Sequence, residues 1–70
     1  MFVYTKHTIE KMDGLGIEKS DIERAIKEGM KWKEEQTDKW HARHSNIEVV
    51  FVKSDTATVI VTTYFAGGEK

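Results

Sequence analysis

The run Val59-Ile60-Val61-Thr62-Thr63-Tyr64-Phe65, close to the C-terminus, limits the fold more than any other stretch. β-Branched and aromatic residues fill it without a break, which marks a strand. Strand side chains alternate between faces, so simple alternation sets Thr62 and Tyr64 on one face and Val61, Thr63 and Phe65 on the other. A strand buried on both faces reads as wholly apolar. This one gains two hydroxyls on one face as it ends, and so offers hydrogen-bonding groups on a rigid platform. A reactive site would need other elements to bring a base and a cation to that face.

Seventy residues suffice for one domain, 1–70, with one core. A domain of this size gains from a partner or from self-association, a homodimer included. The absence of cysteine removes disulfides and thiolate metal sites, and fits a reducing, cytoplasmic setting. No apolar run is long enough to cross a bilayer, and the first residues lack the basic-then-apolar pattern of a signal peptide, so no membrane role is expected. With a formal net charge of −1, the chain can hold nucleic acid only through a local patch.

Thr5 is suited to cap a first helix running to about Met12, with Thr8, Ile9 and Met12 on one stripe and His7 and Lys11 on an adjacent face. Asp13-Gly14-Leu15-Gly16 is expected to stop it, with Leu15 and Ile17 pinning the turn to the core. A second helix is expected from Lys19 to Glu28, burying Ile22, Ala25 and Ile26 and ending at Gly29. From Met30 the period becomes alternating. Strands are expected at Met30–Lys33, Lys39–His44, Ile47–Val52 and from about Thr58, joined by short turns; Phe2-Val3-Tyr4 is a short strand or an apolar lead-in. Gly67-Gly68-Glu69-Lys70 reads as a frayed tail. The predicted class is α+β, with two N-terminal helices packed on an antiparallel sheet of about four strands. The helices would cover one face and leave the other, or the groove beside the first helix, for a partner or substrate.

Histidine is the side chain best poised for proton transfer near neutral pH. The chain has three, His7, His41 and His44, and each taken alone is more often an ordinary surface residue. His41 and His44 would face opposite ways on a strand, and no helical His-x-x-x-His pair occurs, so no metal centre is expected. Lys39, His41 and Arg43 share one strand face as a basic stripe that Lys31 and Lys33 would extend. Such a stripe either clamps phosphate, for which the arginine fork is suited, or merely protects a sheet edge from aggregation. Glu34, Glu35 and Asp38 dilute it. Trp32 and Trp40 can stack nucleobases, but each fits the apolar phase of its strand and reads first as a packing residue.

Tyr4-Thr5-Lys6-His7, Glu10-Lys11-Met12, Gly16-Ile17, Asp21-Ile22-Glu23, the apolar strand 47–52 and Val61-Thr62-Thr63-Tyr64 together resemble a small prokaryotic domain family of unknown function. That family is grouped with toxin-like ribonucleases of the barnase–EndoU–colicin–RelE (BECR) fold. The resemblance spans nearly the whole chain on short motifs. Leu15 stands where the family commonly has Arg, and Glu18 where a Ser cap is common.

The resemblance implies a metal-independent endoribonuclease that needs no cofactor, acts on RNA and is held by a cognate antitoxin as the toxin of a type II pair. Carried over by position, it implies a catalytic set of His7, Arg43, Thr62 and Tyr64. Lys11, Lys39 and His41 stand beside it as substrate-binding residues, with His41 a reserve proton-transfer group. The implied reaction is attack of the RNA 2′-hydroxyl on the adjacent phosphorus, giving a 2′,3′-cyclic phosphate. Two other readings stand beside it: a non-catalytic binding or regulatory module on the same fold, and a domain whose sheet edge pairs only with a partner or itself. A His7 and an Arg43 on opposite sides of the sheet would exclude the catalytic one.

Overall fold

The structure, a computed structural model, describes residues 1–66; the expected tail at Gly67–Lys70 lies outside them. The chain runs β1 (Phe2–Tyr4), α1 (Lys6–Leu15), α2 (Lys19–Glu28), β2 (Met30–Lys33), β3 (Lys39–His44), β4 (Ile47–Lys53) and β5 (Thr58–Phe65). The sheet has five strands in the order β1-β5-β4-β3-β2. This corrects the expected sheet of about four antiparallel strands. The lead-in Phe2–Tyr4 is a strand, and it runs parallel to β5, pairing Phe2 with Thr58 and Tyr4 with Ile60. Parallel neighbours need a long connection, and here α1, α2 and three strands supply it. The α+β class stands, and both helices cover one face.

The helices form where their caps allow. Thr5 caps α1, accepting a hydrogen bond from the Thr8 amide. The helix runs through Gly14 and ends within the expected stop at Gly16, whose φ of 74° closes it in the left-handed region. In α2 the Asp21 carboxylate accepts from the Glu18 amide at 3.0 Å, so the first turn is capped without a serine. Gly29, just after α2, is extended rather than left-handed. It is needed for space: a Cβ there would lie 2.3 Å from the carbonyl oxygen of Arg43.

The core lies between helices and sheet. Met12, Ile17, Ile22 and Ala25 pack against Ala42, Val49, Phe51 and Ile60, with Leu15 and Ile26 at its margin. Ile9, expected in the stripe of α1, is exposed. Two buried threonines tie the core, one from helix to sheet and one between neighbouring strands. Thr8 donates to the Ile60 carbonyl at 2.8 Å, and Thr63 to the Glu48 carbonyl at 2.9 Å. β1 pairs with β5 only as far as Ile60, so α1 flanks the rest of that edge.

One irregularity decides what the open face carries. Across β4 and β5, Val50 pairs with Thr62 and Phe51 with Ile60, which leaves Val61 without a partner. This is a β-bulge, one extra residue that resets the alternation. Ile60 and Thr63 are both fully buried although an odd spacing separates them. Without the bulge, an inward Ile60 would carry Thr62 and Tyr64 into the core with it.

Candidate active site on the open face of the sheet

The strand register lines up two rows across the open face. One runs Trp32, His41, Val50, Thr62; the next runs Met30, Arg43, Glu48, Tyr64. A third element joins at the β5 end. His7, in the first turn of α1, sets Nε2 3.3 Å from Thr62 Oγ1, within hydrogen-bond reach. His7, Arg43, Thr62 and Tyr64 therefore share one side of the sheet. Two strand spacings, about 10 Å at the backbone, separate β5 from β3, a gap that long side chains and one phosphate group can fill.

The centre of the face is a hydrogen-bonded chain. His41 Nε2 meets Glu34 Oε2 at 2.5 Å, and His41 Nδ1 meets Glu48 Oε2 at 2.9 Å. The Tyr64 hydroxyl donates to the same Glu48 oxygen at 2.6 Å. With a carboxylate at each ring nitrogen, His41 satisfies both only as the imidazolium, which carries two N–H donors. Burial works against that charge, but the bonds to Glu34 and Glu48 outweigh it and raise the His41 pKa above its ordinary 6.5. Glu48 responds in the opposite sense. Burial would raise its pKa, yet the Tyr64 hydroxyl, His41 and the nearby Arg43 charge hold it below 4.5. The bond to His41, then that to Thr37, lowers Glu34 as well. Tyr64, bound to Glu48 and partly buried, is pushed up to about 12.

The Trp32 indole stacks on the His41 ring, centroids 5.3 Å apart and planes within 9°. Arg43 lies directly across from Glu48 and forms no ion pair with any described carboxylate. Lys39 is exposed on the same face one row further along, opposite Val52. Lys11 lies one turn beyond His7 on the same side of α1.

Several expectations are corrected. Lys31 and Lys33 do not extend the basic stripe: they pair with Ala42 and Trp40, on the helix side of the sheet. Trp32 is not a core residue; it lies on the open face and is 38% exposed. Trp40 does pack inward, stacked 6.5 Å from Phe51. Glu34 and Glu48 went unrecognised as members of the cluster. Glu48 carried a signal, as the one acid within an apolar strand. Among the described residues no three His, Asp or Glu side chains gather to hold a metal ion. The two ring nitrogens of His41 are each turned to a different carboxylate. Two shallow depressions lie away from this face. One of about 340 Å³ is lined by Asp21, Arg24, His44 and the β3–β4 turn, and one of about 320 Å³ lies beside the α1–α2 turn.

A family model described as "Domain of unknown function (DUF4258)" matches residues 4–65, nearly the whole chain. No curated protein matches the sequence. Among solved structures the chain is similar to one from the crystal structure of the toxin–antitoxin complex RelBE2 of Mycobacterium tuberculosis. Identity is 17%, with 93% of this chain and 95% of that one covered and a TM-score of 0.71. At that identity the likeness establishes a shared fold.

Proposed function

The chain belongs to the DUF4258 family, and from that premise we propose that it is a metal-independent endoribonuclease, the toxin of a type II toxin–antitoxin pair, with a fold of the BECR class. The observation that carries this reading is the sharing of one uncovered face by His7–Thr62, Arg43, His41 and Tyr64. Support comes also from the fold shared with a chain of a toxin–antitoxin complex, whose counterpart here would be a cognate antitoxin.

In this reading His7 takes the proton of the RNA 2′-hydroxyl, and the freed oxygen bonds to the adjacent phosphorus. The bond from phosphorus to the 5′-oxygen breaks, leaving a 2′,3′-cyclic phosphate and a 5′-hydroxyl. Arg43 neutralises charge on the phosphoryl oxygens, and Thr62 orients the phosphate by hydrogen bonding. His41 supplies the proton to the departing oxygen. Its Nε2 is the nitrogen to be freed, because Glu34 is the more exposed of its two partners, at 35% against 12% for Glu48. Tyr64, committed to Glu48, holds that carboxylate in place. Lys39 and Lys11 give outlying charge for the flanking phosphates. The steps use only side chains of this chain.

The test is cleavage of a mixed RNA with EDTA present. Wild type should leave cyclic-phosphate ends. His7→Ala should lose about 10²–10⁴-fold and Arg43→Ala about 10²–10³-fold. Equal activity in all three proteins would overturn the assignment. A second reading, a non-catalytic binding or regulatory module with the same fold, is favoured by Glu34 and Glu48 on the open face, which repel phosphate. It predicts a partner bound on this face and no RNA cleavage by any of the three.

A further inference from the structure

The open face carries one large ring whose placement none of the steps above uses. Trp32 lies on β2, the last strand of the sheet, and all four β2 residues are exposed. Its stacking partner, His41, is its cross-strand neighbour. The other face of the indole is therefore the one turned toward the open edge. Met30, 73% exposed, lies two residues away on the same face and directly across from Arg43. An exposed tryptophan with one face free would cost little to bury, and its rotamer is already held by the stack. His41 is itself held at both nitrogens. The platform is thus rigid before any ligand arrives.

Resting on the ribonuclease reading, we infer that Trp32 is the stacking platform for one unpaired nucleobase of a single-stranded RNA, with Arg43 holding the neighbouring phosphate. The chemistry fits on three counts. Every base has a π-face, so stacking on an indole tolerates sequence. The diagonal from Trp32 on β2 to Arg43 on β3 is about 7–8 Å, comparable to the reach from a base to a phosphate of its own backbone. Paired bases cannot reach such a platform, so the substrate is unstacked RNA rather than duplex.

The experiment uses a hexanucleotide RNA 2′-O-methylated throughout, which has no 2′-hydroxyl to react. Its binding to wild type, Trp32→Ala and Trp32→Phe is measured by calorimetry at low salt. Trp32→Ala should bind about 5- to 150-fold more weakly, and Trp32→Phe should keep most of the affinity. A second series places one abasic nucleotide at each position in turn. One position should matter for wild type and cease to matter in Trp32→Ala, an outcome that a folding defect cannot mimic. Equal binding by wild type and Trp32→Ala, or an abasic effect that persists in Trp32→Ala, overturns the platform. If unmodified RNA is still cleaved, the nuclease reading survives that failure. Trp32-dependent binding without cleavage of unmodified RNA keeps the platform and removes the nuclease. Failure of wild type to bind this RNA removes the platform and leaves the exposed indole to a protein partner, while the nuclease reading stands or falls on cleavage of unmodified RNA.

Discussion

Replacing Glu48 with Gln tests the centre of the open face most directly. The change keeps the shape of the side chain and removes its charge. Glu48 Oε2 accepts from both His41 and the Tyr64 hydroxyl, and the His41 and Glu48 side chains are only 14% and 12% exposed. A hydrogen bond to a charged group contributes about 1.5–3 kcal/mol, so a loss of about 2 kcal/mol is expected. For a domain of this size that lowers Tm by about 8–16 °C. The effect must depend on pH, because it needs both charges. Glu48 has its pKa lowered on folding, so its contribution is present above about 4.5 and fades as pH falls through the folded value. His41 has its pKa raised, so its contribution is complete below 6.5 and is lost as pH rises through the folded value. The cluster stabilises most between those limits. Urea denaturation of wild type and Glu48→Gln at pH 6 and pH 9 should give a gap that narrows at the higher pH. NMR titration should show the His41 pKa falling in the variant. An equal gap at both pH values, or an unmoved His41 pKa, refutes the charged clamp.

Gly29→Ala should destabilise by about 1–3 kcal/mol, since its Cβ would press on the Arg43 carbonyl; a denaturation midpoint unchanged from wild type would contradict that. Thr8→Val leaves the Ile60 carbonyl without its buried donor, and should cost about 1–3 kcal/mol in the same assay. Both tyrosines of the chain are bound to carboxylates and pushed up to about 12, Tyr4 mainly by burial with help from Glu23 and Tyr64 mainly by Glu48. Absorbance at alkaline pH should therefore show no phenol ionising near 10 while circular dichroism remains native. A tyrosine that titrates there in the folded protein would show that its hydrogen bond is absent.

Much of the architecture was legible locally. The Thr5 cap, the Lys19–Glu28 stripe of Ile22, Ala25 and Ile26, and the shift to alternation at Met30 all act through neighbours a few residues apart. The parity of Lys39, His41 and Arg43 placed them together, and the strand ending in Thr62 and Tyr64 was recognisable by composition. Other features depend on partners distant in the chain. Whether Phe2–Tyr4 is a strand turns on a free edge of β5, more than fifty residues later. Lys31 and Lys33 share one phase of β2, but which phase faces the helices is settled only by pairing with Ala42 and Trp40.

The sequence by itself determined the class of the fold, its helix boundaries to within a turn, and the residue types available for chemistry. Periodicity, capping and turn propensity are short-range, and they do not need the rest of the molecule. Only the tertiary structure decided which side chains meet. The unpaired Val61 keeps Ile60 inward while Thr62 and Tyr64 face out, and no local preference for Val predicts a bulge. Register joined His41, Glu48 and Tyr64, and the connection that follows β2 brought Glu34 to His41, making one charged chain. A one-residue slip on any of those strands would turn its member to the other face, because a strand's side-chain period is two.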